Sequence, residues 1–190
     1  MRKRIIALCG FKGSGKDTVA KLLETCYNRH GKDVKLIAYA DPIKETVMNI
    51  FNLRKIEEYD AFKRDQFQVN DQVSVSGRQI VRGIGMKMRE YDSFQFVRYV
   101  SETIDKSTES VYIITDLRFQ NEVKWCKLND VQIVKVIRPT TTAEKHITEK
   151  GIDDDVCQYI LNNDGDMESL KQKVNELFNI IEKDYTEWST

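Results

Sequence analysis

Only two prolines, Pro42 and Pro139, occur in 190 residues. No low-complexity tract or internal repeat accompanies them, which excludes a proline-rich linker between separate folding units. Charge of one sign is missing too, since 30 Lys and Arg balance 30 Asp and Glu. A chain without net charge carries no electrostatic footprint for a polynucleotide, so no polynucleotide partner is expected. Long hydrophobic runs are absent, and with them a membrane span. Met1-Arg2-Lys3-Arg4 imitates the start of a secretory signal, but the apolar run from Ile5 to Cys9 stops at Gly10 and is too short for such a segment. The four cysteines, Cys9, Cys26, Cys126 and Cys157, never form a CxxC pair and read as reduced, mostly buried thiols in a cytoplasmic protein.

What the chain does have is a glycine-rich turn in an informative place. The apolar run Ile5 to Cys9 feeds Gly10-Phe11-Lys12-Gly13-Ser14-Gly15-Lys16-Asp17-Thr18, and Val19, Leu22, Leu23 and Cys26 then repeat at i, i+3, i+4 and i+7. A strand, the pattern Gly-x-x-x-x-Gly-Lys and an amphipathic helix in that order make a phosphate-binding P-loop. Gly13 and Gly15, lacking Cβ, let backbone amides approach phosphate oxygens. Lys16 supplies a mobile charge for β- and γ-phosphates, and the helix start adds its dipole. Asp17 stands where Ser or Thr is usual, with Thr18 one place later. A carboxylate there can hold Mg²⁺ directly or through water. The plain alternative is a glycine-rich turn before an ordinary helix, with Asp17 only complementing the dipole.

Further apolar runs at 34–40, 111–115, 131–137 and 156–161 predict four more strands, too continuous for a half-exposed sheet. The expectation is an α/β fold, a five-stranded, mostly parallel sheet flanked by helices, with a last helix carried by Met167, Leu170, Val174, Leu177, Phe178 and Ile181. In such sheets ligands bind at the carboxyl ends of the strands. Residues 41–110 exceed any minimal crossover and predict a largely helical insertion within a single domain of 1–190: one helix around Ile43, Val47, Ile50 and Phe51, a charged stretch from Arg54 to Asp71, and helices over 76–90 and 93–105.

Asp116 and Arg118 follow the third strand, where a P-loop enzyme needs a Mg²⁺ carboxylate and a charge for the transferring phosphoryl group. Alternatively Asp116 caps a helix beginning near Phe119. Asp41-Pro42 is a good helix start. Lys44 in that first turn opposes the dipole unless an anion sits there. Arg78, Arg82 and Arg89 could clamp phosphate, although arginine-rich helices are commonly solvated faces. Residues 138–151, from Arg138 through Thr141, Glu144, His146 and Glu149, make a polar loop suited to a lid, with Thr141 and Glu144 equally readable as a capping box. Asn163-Asp164-Gly165 is a turn signal.

Together these pieces resemble the bacteriophage deoxynucleoside monophosphate kinases, within the nucleoside monophosphate kinase-like P-loop group. Ser14-Gly15-Lys16-Asp17-Thr18, Pro42-Ile43-Lys44, Asp116-x-Arg118, Arg138-Pro139, His146-Ile147-Thr148-Glu149 and Asn163-Asp164-Gly165 occur in family order over nearly the whole chain. The insertion is shorter than the family's, and Arg82 and Met86 stand where its pattern has Gln and Thr. The resemblance implies ATP and Mg²⁺ as cofactors and a deoxynucleoside monophosphate as substrate. Gly10, Lys12, Gly13, Ser14, Gly15, Lys16, Asp17 and Thr18 would bind the ATP phosphates, and Asn163, Asp164 and Gly165 would lie near the adenine. Asp17, Thr18 and Asp116 would organise the metal. Asp41, Lys44, Arg78, Arg82, Arg89, His146 and Glu149 would hold the acceptor, while Lys16, Asp116, Arg118 and Arg138 carry catalysis. The host cytoplasm is the expected location of a phage-encoded member, and an exposed apolar helix face could pair two chains into a homodimer. Kinases of other phosphorylated acceptors, such as phosphomevalonate or dephospho-coenzyme A, and a non-catalytic nucleotide switch are the competing expectations.

Overall fold

The computed structural model describes residues 3–139 and 152–187. The chain divides into two compact units, Met1–Ala38 with Thr103–Thr190, and Tyr39–Glu102.

The first unit is built on a parallel sheet. Strands β1 (Arg4–Cys9), β2 (Val34–Ile37), β5 (Val111–Ile114), β6 (Gln132–Ile137) and β7 (Tyr159–Asn162) form five neighbours in the order β2-β5-β1-β6-β7, every pairing parallel. The central strands β1 and β5 bury nearly all their side chains because both faces are covered. The edge strand β7 leaves Ile160 about half exposed. On one face Ile6 and Leu8 of β1, with Ile113, Val134 and Val136, meet Val19, Leu23 and Tyr27 of α1 (Lys16–Arg29) and Val174, Phe178 and Ile181 of α7 (Met167–Glu187). The Tyr27 and Phe178 rings close this layer edge to face, 4.9 Å apart. Ala7 and Cys9 alternate to the other face. Helix α6 (Gln120–Leu128) lies between β5 and β6 in the chain.

Two strand limits differ from expectation by more than one residue. β2 stops at Ile37, its last residue paired with β5, rather than running to Ala40; the Thr115 amide bonds the Ile37 carbonyl and the chain turns away. β7 begins at Tyr159 rather than Val156, because Val156 belongs to a single 3₁₀ turn, Asp154–Val156, set by acidic residues that disfavour a strand.

The second unit holds α2 (Asp41–Ile50), α3 (Ile56–Phe62), the antiparallel pair β3 (Gln66–Asn70) and β4 (Val73–Ser76), α4 (Gly77–Tyr91) and most of α5 (Gln95–Lys106). The predicted helices are present. The hairpin was not foreseen, and it occupies part of the charged stretch from Arg54 to Asp71. Phe51, Phe62 and Phe67 stack as its apolar support, Phe62 to Phe67 at 5.1 Å. Ser76 caps α4 reciprocally with Gln79. α2 approaches α4 at Gly85, where a Cβ would come within 2.7 Å of Ile43 Cδ1. No helix among the described residues is long and apolar enough to cross a membrane.

Candidate active site

The carboxyl end of β1 is the place where the chain, having laid β2 and β5 on one side, crosses to lay β6 and β7 on the other, the kind of topological switch point at which open α/β sheets bind ligands. The glycine-rich turn emerges there. Gly10, Gly13 and Gly15 adopt φ of 139°, 80° and 98°, a region that L side chains rarely enter. Space is as restrictive as conformation. A Cβ on Gly10 would collide with the Val136 carbonyl, and one on Gly15 would sit 2.5 Å from Asn163 Nδ2.

Lys16, the first residue of α1, is almost wholly buried, and its ammonium donates to the carbonyls of Gly10 and Phe11 at 2.8 and 2.9 Å. The side chain therefore folds back over its own loop. Ser14 is fully buried, and its hydroxyl has no hydrogen-bond partner among the described residues. A cradle of positive-φ glycines, an ammonium resting on two neutral carbonyls and an orphaned buried hydroxyl fit an anion such as a nucleotide phosphate. Lys12, Gly13 and Asp17 are exposed at its rim and Thr18 is half-buried.

Asn163 fixes the loop from behind. Its amide N–H bonds the Ile137 carbonyl at 2.7 Å, and its side-chain Nδ2 donates to the Ser14 carbonyl at 2.9 Å. The Asn-Asp-Gly turn read as adenine-facing thus begins with a buried residue that pins the phosphate loop. Asp164 pairs with Lys173, whose hydrogen bond holds its carboxyl below the usual range, and Gly165 is exposed.

Asp116 and Arg118 extend beyond β5 beside β1, the Leu117 amide between them bonding the Leu8 carbonyl at 3.1 Å. Asp116 does not cap the following helix. That work falls to Glu122, nearly fully buried, whose Oε2 accepts from the Arg118 and Phe119 amides at 2.9 and 3.0 Å. Glu122 was missed, although a Glu three residues after a helix cap is a recognised signal. Arg138 follows β6, exposed, on the opposite flank of β1. Among the described residues no group of three or more His, Cys, Asp or Glu could hold a metal ion. Mg²⁺ binds through one or two carboxylates plus substrate phosphates rather than a protein cage, so Asp17, Thr18 and Asp116 suit a cation that arrives with a nucleotide.

Within the second unit three of the candidates, Asp41, Lys44 and Arg78, act on Tyr59, which is buried. The Lys44 and Lys63 ammoniums lie 5.9 and 4.7 Å from its ring centroid. Burial chiefly raises its phenol pKa, Asp60 and Asp41 raise it further, and the charge of Arg78 opposes them. Asp41 is the first helical residue of α2 and not its cap; the cap position is Ala40, with no side-chain hydrogen bond. Arg78, Arg82 and Arg89 fall at i, i+4 and i+11, on the face of α4 that carries Gly85. The expectation of a solvated arginine face fails. All three are half-buried, and the exposed positions are Gln79, Gly83, Lys87, Glu90 and Tyr91. The Arg89 guanidinium stacks 4.3 Å over Phe96. His146 and Glu149, the Thr141–Glu144 capping box and the lid beyond Pro139 lie outside the described residues.

A family model described as deoxynucleotide monophosphate kinase matches residues 96–174, the stretch from α5 through Asp116, Arg118 and Asn163 into α7. The chain is similar to the deoxynucleotide monophosphate kinases. That of Escherichia phage RB69 is 24% identical over 131 residues, covering 64% of this chain and 52% of the phage protein. That of Enterobacteria phage T4 is 24% identical over 161 residues, covering 82% and 64%. The match thus spans about half to two-thirds of the length of these relatives. Among solved structures, dephospho-CoA kinase from Campylobacter jejuni superposes with a TM-score of 0.53 at 14% identity over 96% of this chain and 99% of its own. The fold, a five-stranded parallel sheet flanked by helices, is therefore one it shares with that kinase.

Proposed function

We propose that the chain transfers the γ-phosphoryl group of ATP to a deoxynucleoside monophosphate, giving the diphosphate and ADP. The observation that carries this is the seat of Lys16: a nearly buried ammonium held on two loop carbonyls, at the carboxyl end of the strand flanked by Asp116 and Arg118 on one side and Arg138 on the other. Similarity to the deoxynucleotide monophosphate kinases supports the choice of acceptor.

The acceptor phosphate is already an anion, so no covalent intermediate is required and the chain's task is positioning and charge compensation. Lys16 and the amides of residues 10–18 would bind the donor phosphates. Arg118, its backbone fixed by Glu122, and Arg138 would balance charge on the transferring group, and residues 163–165 would flank the adenine side. Asp17, Thr18 and Asp116 would hold a Mg²⁺ that arrives with the nucleotide and compensates charge on its phosphates. Residues 41–110 form the acceptor-binding insertion, in which Asp41, Lys44, Arg78, Arg82 and Arg89 recognise the monophosphate.

Incubation of the purified protein with ATP, Mg²⁺ and each deoxy- and ribonucleoside monophosphate in turn, with chromatographic resolution of products, tests the proposal. A nucleoside diphosphate from one or more deoxynucleotides is expected. ATP binding without any diphosphate would move the acceptor to another phosphorylated small molecule.

A further inference from the structure

We propose that Cys9 and Cys157 form a reversible disulfide, an oxidative modification site placed immediately before the phosphate loop. Their sulfurs stand 3.7 Å apart although 148 positions separate them in sequence. Cys9 ends β1, in register with Lys135 of β6, on the sheet face turned away from α1 and α7. Cys157 lies between the 3₁₀ turn and β7, outside the strand pairing. The Cys9 backbone is fixed within the sheet interior, so Cys157 is the side that can close the remaining gap to a bond of about 2.05 Å.

The two thiols are chemically unequal. Cys9 is fully buried and Cys157 half-exposed. The hydrogen bond between them lowers the Cys157 pKa and raises that of Cys9. Burial opposes the first shift and reinforces the second. The Lys135 ammonium, which donates to the Ile152 carbonyl at 2.6 Å and pairs with Asp154, favours the thiolate at both sulfurs, against Asp154 and Asp155 at Cys157. An accessible thiol of lowered pKa next to a buried resolving thiol is the arrangement that intramolecular oxidation requires.

The oxidant is a peroxide. The Cys157 thiolate attacks one oxygen of hydrogen peroxide, an S–O bond forms, the O–O bond breaks, and the departing hydroxide takes up the proton the thiol had released. The Cys9 sulfur then attacks Cys157, the S–S bond forms, the S–O bond breaks, and hydroxide leaves with the Cys9 proton as a second water. The sulfurs give up two electrons and the peroxide accepts them. A dithiol reductant reverses the change by exchange. The bond would tie the segment entering β7 to the strand that feeds Gly10.

The full chain, reduced, desalted and treated briefly with hydrogen peroxide, is denatured, alkylated and weighed intact. Two of its four thiols are expected to escape alkylation, with peptide mapping joining Cys9 to Cys157 and dithiothreitol restoring all four. Cys157→Ser should keep its remaining thiols alkylatable, and Cys126→Ser should still form the bond. In Cys9→Ala, where no resolving sulfur remains, Cys157 should be trapped by dimedone as the sulfenic acid. All four thiols surviving peroxide, a linkage to Cys26 or Cys126, or a cross-link only between two chains would each overturn the proposal. Thiol counts do not depend on kinase activity, so this result stands or falls separately from the proposed function.

Discussion

Gly15 and Asn163 meet across the phosphate loop, and a double-mutant cycle can measure that meeting. Gly15→Ala places a methyl group 2.5 Å from Asn163 Nδ2, on a backbone with φ of 98°. The backbone strain alone costs about 1–2 kcal/mol. The Asn163 amide must also withdraw, breaking its 2.9 Å bond to the Ser14 carbonyl; an abandoned buried acceptor costs about 1–3 kcal/mol. Together Gly15→Ala should destabilise by about 2–5 kcal/mol. Asn163→Ala loses only the hydrogen bond, about 1–3 kcal/mol. In the double variant the methyl group has nothing to displace, so the hydrogen bond is lost once and only the strain is added. The two single effects should therefore exceed the double by about 1–3 kcal/mol. Urea unfolding followed by circular dichroism gives the four free energies, and ATP titration calorimetry on the same proteins reports the loop directly. Additivity within about 0.5 kcal/mol would refute the shared contact, and with it the role given to Asn163.

Lys16→Met removes the donor to Gly10 and Phe11 without adding bulk, so the circular dichroism spectrum should persist while turnover falls by about a hundredfold or more in a coupled ADP assay. Arg118→Ala should lower kcat by roughly a thousandfold or more, with the KM values for ATP and acceptor nearly unchanged, as expected of a charge that acts on the transferring group. Lys44→Ala should raise the KM of the acceptor monophosphate with little effect on kcat; a change confined to the KM of ATP would place Lys44 in the wrong site. Because the Cys9 hydrogen bond and Lys135 lower the Cys157 pKa while burial raises that of Cys26, iodoacetamide should label Cys157 first, with a rate that rises at lower pH than for an ordinary thiol. Mass mapping of time points across the pH range checks the order.

The sheet was legible because β1 and β5 are buried on both faces, which forces continuous apolar runs such as Ile5 to Cys9 and Val111 to Thr115 that few other elements share. Its order was not, since register and neighbours depend on crossovers that leave no mark in composition. The phosphate loop was legible for a different reason: Gly10, Gly13 and Gly15 occupy conformations that L side chains rarely adopt, so backbone geometry writes itself directly into residue type. The edge of β7 was misplaced because a half-exposed strand carries a weaker pattern, and the aspartates before it weigh against only part of the apolar run that contains Val156.

The misses share a cause, which is that a polar residue's role is decided by what it faces. Phe67, Val69, Val73 and Val75 alternate around Asn70-Asp71-Gln72, and that period of two announces a hairpin, yet the surrounding charges from Arg54 to Asp71 concealed it. Glu122 shows the same effect at a single site. By composition it is one of many acids on a charged helix; by position it is a nearly inaccessible carboxylate that takes both amides entering α6. A buried acid that accepts two backbone amides is worth more to local order than a surface cap, because breaking it would strand buried polar groups. Sequence spacing could offer Asp116 as a cap for α6, but the cap position is Phe119 and the backbone amides of Arg118 and Phe119 bond to Glu122 instead.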